Sequence, residues 1–98
     1  MSRTNDLRIV FLDAATFGDA SLERFTANWD CTVHLLTAPA EAAQRLQGYE
    51  VVILNKVVVD KSVLRSPPAE TLKLIAVAAT GTDNVDLEAA RARGIKVC

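Results

Sequence analysis

The chain has 98 residues and a formal net charge of −1; half of its residues are hydrophobic and 23% are charged. This length suits one small domain and the composition is ordinary for a globular one. Without a basic block, nothing points to nucleic acid or an anionic membrane as a partner. Every apolar run is far shorter than the ~20 residues that a membrane-spanning helix needs.

Five apolar runs predict strands, in chain order. They are residues 7–12, 32–36, 51–54, 74–79 and 95–98. The run 74–79 is too continuous for a half-exposed strand, so we expect it to be buried on both faces of a parallel sheet. Val57 to Val59 is also apolar and could extend the third strand or line a loop.

Segments between these runs predict four helices. They cover residue 19 or 21 to 28, residues 37–47, residues 60–66 and residues 85–93. Thr37 can cap the second helix and Pro39 is tolerated in its first turn. Asp60 begins the third, and Pro67-Pro68 ends it. Trp29 is expected to fill the joint between the first helix and the second strand.

The last helix has clear boundary signals. Asp83 or Asn84 can cap its start, and Gly94 stands where a helix C-terminal glycine belongs. Strands that alternate with helices in this way predict an α/β fold, with a parallel sheet of about five strands and helices on both faces. We expect the flavodoxin-like strand order 2-1-3-4-5 rather than a Rossmann order.

Several kinds of site are disfavoured by what the sequence lacks. The four glycines, Gly18, Gly48, Gly81 and Gly94, form neither G-x-G-x-x-G nor a P-loop. His34 is expected in the middle of a strand, as a packed or edge-facing side chain. Cys31 and Cys98 are not at metal-ligand spacing and suit reduced thiols in a cytoplasmic protein. We therefore expect no cofactor site, no metal site and no catalytic nucleophile in this chain.

A receiver-type phosphorylation domain shares the predicted architecture. Such a domain needs paired acids after the first strand and an Asp at the end of the third. This chain has a single Asp13 after the first strand, and Asn55 after the third, which cannot accept a phosphoryl group. The receiver interpretation is therefore disfavoured.

Polar loops follow three strands, at residues 13–18, 55–58 and 80–84. Ligands of open α/β sheets bind at the carboxyl ends of the strands, where these loops meet. Lys56 brings a positive charge there, and the N–H groups around Gly81 precede a helix N-terminus. The sequence thus suits a small anion, although Gly81 could simply make the turn and Lys56 could simply be solvated.

Two segments carry a resemblance to a known family. Asn55-Lys56-Val57, together with AATGTDNVD at residues 78–86, resembles the D-isomer-specific 2-hydroxyacid dehydrogenases. The pairing is most similar to the glycerate dehydrogenase (hydroxypyruvate reductase) branch. Residues 89–98 also fit that family's helix and following strand.

The resemblance implies that residues 1–98 are the N-terminal portion of a flavodoxin-like substrate domain. It implies that the loop Asn55 to Val58 holds the substrate carboxylate through backbone amides of Lys56, Val57 and Val58. Thr80 and Gly81 would face the cleft between domains. The substrate would be a small D-2-hydroxy or 2-oxo acid.

The resemblance also implies a second domain, which binds NAD or NADP and supplies the catalytic Arg, Glu and His. None of these has a counterpart here, so we expect a fragment that is inactive alone, from a full-length protein that forms a homodimer. The alternative is a stand-alone, non-catalytic α/β module for small ligands or protein contacts.

Overall fold

The computed structural model describes residues 7–17, 29–77 and 84–98. The helix expected before residue 28 lies outside these ranges. So does most of the loop expected after the fourth strand, including Thr80 and Gly81.

Within these ranges, five parallel strands form one sheet in the order β2-β1-β3-β4-β5. They are β1 Arg8–Phe11, β2 Asp30–Val33, β3 Val51–Leu54, β4 Leu74–Val77 and β5 Lys96–Val97. The α/β class, the parallel sheet and the strand order are confirmed. Because the strands are parallel, their carboxyl ends lie at one edge of the sheet, which we call the carboxyl edge.

The bounds of β3 match the prediction, but those of β2 do not. Strand β2 starts at Asp30, which pairs with Arg8 in the register and forms an ion pair with it at 3.1 Å. It ends at Val33, so placing His34 in mid-strand was wrong. His34 instead follows the strand, and its N–H donates to the carbonyl of Phe11 at 2.8 Å. The register with β1 decides these bounds.

Two α-helices lie in the described part of the chain: α1 Lys61–Arg65 and α2 Leu87–Ala92. The Asp60 side chain caps α1 by accepting from the Val63 N–H at 3.0 Å, as predicted. Helix α1 ends before Pro67, and a 3₁₀ segment continues over Pro67–Thr71. Helix α2 starts later than expected and is capped by Asp86, so Asp83 and Asn84 were the wrong caps.

The predicted helix over 37–47 is instead two short 3₁₀ turns, Pro39–Glu41 and Gln44–Leu46. Thr37 is not its cap, because the Thr37 hydroxyl donates to the carbonyl of Leu12 at 2.6 Å. The segment still ends at Gly48, which has a φ of 84°. Gly94 has a φ of 72° after α2, where a residue with a side chain would be strained.

The core packs on both faces of the sheet. Val10 and Val52 belong to the larger cluster, with the buried Leu46 and Leu64. On the other face Ile9, Phe11 and Val51 form a smaller cluster, against which the half-buried Trp29 packs.

Strand β4 is less covered than predicted. Within Leu74–Val77 only Ile75 is fully buried, and the other three residues are half-buried. The expectation of burial on both faces is therefore wrong for β4.

None of the helices in the described ranges is long and apolar enough to cross a membrane.

Candidate functional site

The loop after β3 is organised by Asp13, which follows β1. The Asp13 carboxylate is only 2% exposed and accepts three consecutive backbone N–H groups. One oxygen accepts from Asn55 at 2.9 Å, and the other accepts from Lys56 at 2.6 Å and from Val57 at 3.2 Å. These bonds satisfy backbone donors that have left the sheet ladder, so the loop has a defined shape.

The Asn55 side chain strengthens the same connection. Its amide nitrogen lies 3.0 Å from the Thr16 carbonyl and 2.9 Å from the Thr16 hydroxyl oxygen. That hydroxyl in turn donates to the Asp13 carbonyl at 2.8 Å. The Asn55 side chain therefore joins the loop after β3 to the 3₁₀ helix Ala14–Phe17 that follows β1, and its amide nitrogen is occupied by the protein itself.

Asn84 ties a third segment to this loop. Its side-chain amide donates to the carbonyls of Asn55 at 3.2 Å and Val57 at 2.8 Å. Its own carbonyl accepts from the Val59 N–H at 2.7 Å, beside an isolated parallel bridge between Val59 and Val85. Residues 57–59 thus form a loop with one bridge, not an extension of β3.

Lys56 and Val58 are the exposed parts of this loop. The Lys56 ammonium forms no ion pair with any acid in the described ranges. Val58 is 57% exposed, and its N–H has no acceptor among the described residues. A positive charge and an unused backbone donor, two residues apart in the chain, are suited to a small anion.

A cavity of about 220 Å³ opens beside this loop. Its lining includes Leu36, Thr37 and Pro39, the loop residues 56–58, and Asp13 and Thr16. Leu36 is 67% exposed, and the lining of the cavity is mostly apolar. A small ligand held by Lys56 would have an apolar surface next to it.

The structure brings Asn55, Lys56, Val57 and Val58 together as one loop. Thr80 and Gly81 lie outside the described residues, and Asn84 is the described residue that connects their segment to this loop. Sequence reasoning missed Asp13 as a site residue. The sequence did carry a signal for it: Asp13 follows β1, and neighbouring parallel strands such as β1 and β3 end at the same edge of the sheet.

His34 lies at the same edge without lining the cavity. Burial lowers the pKa of its imidazole, the nearby Arg45 lowers it further, and Glu41 acts in the opposite direction. Burial and the adjacent Asp30 raise the pKa of the Cys31 thiol. Among the described residues, no cluster of three or more His, Cys, Asp or Glu could hold a metal ion.

Comparison with known proteins places the chain in a family. The model of the D-isomer specific 2-hydroxyacid dehydrogenase catalytic domain matches residues 9–98. Glycerate dehydrogenase of Methylorubrum extorquens is 44% identical over 91 residues, which are 92% of this chain and 28% of that protein. A Haemophilus influenzae protein described as a 2-hydroxyacid dehydrogenase is 38% identical over 92 residues, covering 93% of this chain and 29% of that protein.

A crystal structure from Polaromonas agrees with these matches. That protein is described as a D-isomer specific 2-hydroxyacid dehydrogenase, NAD-binding, and is 28% identical with a TM-score of 0.78. The alignment covers 94% of this chain and 29% of that one, so the chain spans less than a third of each relative. The fold and the match over residues 9–98 show that this chain belongs to the D-isomer-specific 2-hydroxyacid dehydrogenase family.

Proposed function

We propose that residues 1–98 form the N-terminal portion of the substrate domain of an NAD(P)-dependent dehydrogenase. The enzyme would interconvert small D-2-hydroxy acids and 2-oxo acids of the glycerate and hydroxypyruvate type. The observation that carries this proposal is the 44% identity with a glycerate dehydrogenase over 91 residues. The loop that resembles that branch, Asn55 to Val57, also lies at the edge where open α/β sheets bind ligands.

The substrate carboxylate is proposed to bind at the loop Asn55 to Val58, with Thr80 and Gly81 facing it from the next loop. Within that loop the Lys56 and Val57 N–H groups donate to Asp13. We therefore assign the direct contacts to the Val58 N–H and the Lys56 ammonium. A charge-assisted hydrogen bond beside a backbone N–H holds a carboxylate in one orientation.

The coenzyme is proposed to bind elsewhere in the whole enzyme. The 98 residues contain no G-x-G-x-x-G, so the residues present do not fit a dinucleotide site. A separate nicotinamide-binding domain would hold NAD or NADP and supply the catalytic Arg, Glu and His. When bound, the nicotinamide would exchange a hydride with the carbon next to the carboxylate.

This arrangement predicts that the isolated chain does not turn over substrate. Purified chain mixed with hydroxypyruvate and NADH or NADPH should leave the nicotinamide absorbance unchanged, and turnover would contradict the proposal.

The whole enzyme is further proposed to be a cytoplasmic homodimer. The thiol form of Cys31 and Cys98 is compatible with that compartment.

Binding to the chain itself is the direct test of the site. Oxamate, whose carbonyl adjoins a carboxylate, serves as an unreactive mimic of a 2-oxo acid in a titration followed by amide NMR. We expect the largest shifts at Lys56 and Val58. Shifts confined to residues away from the carboxyl edge, or no saturable shifts at all, would contradict the site.

The coding sequence of the whole protein distinguishes a dehydrogenase from a non-catalytic binding module. The reading frame that contains this sequence should also encode a G-x-G-x-x-G segment, followed by Arg, Glu and His. A frame without them would leave the carboxyl edge as a binding site only.

A further inference from the structure

We propose that Asp13 is a positioning residue for substrate binding: its carboxylate fixes the loop Asn55 to Val58 so that the Val58 N–H and the Lys56 ammonium can face the substrate carboxylate. This inference rests on the proposed function and deepens it. It concerns a residue of the β1 end that need not touch the substrate.

The geometry around Asp13 is that of an anion site filled by the protein itself. Three consecutive N–H groups, those of Asn55, Lys56 and Val57, converge on one carboxylate at 2.6–3.2 Å. Converging backbone donors of this kind commonly bind anions. Asp13 is only 2% exposed, so its carboxylate, and not solvent, accepts these N–H groups in the structure.

The loop needs a side-chain acceptor because the backbone hydrogen bonds between the β1 and β3 segments end just before it. The last described backbone bond between the two segments runs from the Leu12 N–H to the Ile53 carbonyl at 3.1 Å. Beyond it, the N–H groups of residues 55–57 have the Asp13 side chain as their acceptor. Without it they would turn toward water or the ligand, and the direction of the Val58 N–H would no longer be set.

Electrostatics and positioning predict opposite effects of removing this charge. The Asp13 carboxylate is negative, so a purely electrostatic view predicts that its loss strengthens the binding of another carboxylate. If Asp13 positions the loop, its loss weakens that binding despite the better charge balance. The sign of the change therefore decides between the two roles.

The experiment compares Asp13→Asn with wild type in the 98-residue chain, titrated with oxamate and followed by amide NMR. We expect about tenfold weaker binding. Asp13 accepts three N–H groups with a charged carboxylate, whereas the Asn amide would present an N–H donor to one of them.

Asp60→Asn is the matched control, because it removes an acid that accepts a single N–H and because Asn also caps helices. Its affinity should stay within about twofold of wild type. Unchanged or tighter binding to Asp13→Asn would overturn the inference.

Hydrogen exchange separates this inference from the proposed function. The amides of Lys56 and Val57 should lose about tenfold of their protection in Asp13→Asn and none in Asp60→Asn. If oxamate binds neither protein, the proposed substrate site fails, while retained protection in Asp13→Asn would separately overturn the role of Asp13. Asp13→Ala with added formate provides a second variant if Asp13→Asn does not fold. Formate should restore both the amide shifts of the loop and the oxamate affinity, and failure to restore either would count against the inference.

Discussion

The side-chain amide of Asn84 donates a hydrogen bond of 2.8 Å to the carbonyl of Val57, on the loop after β3. The same nitrogen reaches the Asn55 carbonyl at 3.2 Å. One side chain from the segment before α2 thus holds both ends of the Asn55 to Val57 turn. Asn84 was expected to cap a helix, and this contact explains why Asp86 caps it instead.

Asn84→Ala should destabilise the chain by about 1–3 kcal/mol, because two partly buried carbonyls lose a donor. Urea denaturation measures the change in the free energy of unfolding. Thr71→Ala is the control, since it removes one exposed hydrogen bond to the Tyr49 carbonyl and should cost less than about 1 kcal/mol. Equal losses in the two variants would show that Asn84 does not hold the loop.

Lys56→Met should weaken oxamate binding by about two- to fivefold, the range expected for one exposed charge. The same titration in higher salt should reduce the difference, because salt screens exposed charges. Lys61→Met removes a charge that is also exposed, at the start of α1, and should leave the affinity unchanged. Matching losses in the two lysine variants would indicate a general charge effect and no specific contact.

Protonation of His34 should destabilise the fold. Burial, and then Arg45, lower the folded-state pKa of His34 below its usual 6.5, so the unfolded chain binds a proton more readily. The contribution of His34 to stability is therefore lost as the pH falls from about 6.5 through the lowered pKa. Urea denaturation of wild type and His34→Gln between pH 7.5 and pH 5.5 checks the effect. The difference between them should change in favour of His34→Gln at the lower pH, and a constant difference would contradict this.

Leu46→Ala should destabilise the chain by about 2–5 kcal/mol, because the side chain is fully buried in the larger core cluster. Leu35→Ala is the matched control. It removes the same atoms from a side chain that is 66% exposed, and should change the stability by no more than about 0.5 kcal/mol. A small loss in Leu46→Ala would mean that the 3₁₀ turn Gln44–Leu46 does not pack as the structure shows.

Local patterns in the sequence were sufficient for most of the architecture. The apolar run at 51–54 predicted β3 with its correct bounds, Asp60 predicted the cap of α1, and Gly94 predicted the end of α2. Each of these features is set by residues a few positions apart in the chain, through the burial of their side chains and their backbone preferences. The strand order is not written in such local patterns; the flavodoxin-like order was expected in preference to a Rossmann order, and the sheet confirms it.

Only the tertiary structure decided how the carboxyl edge is connected. The hydrogen bond from Lys56 to Asp13 joins residues 43 positions apart, and it depends on β1 and β3 being neighbours that end at the same level. The position of His34 after β2 likewise depends on the register with β1. Such contacts arise from pairing between distant segments, so the sequence identified the loop Asn55 to Val58 without revealing that Asp13 holds it in place.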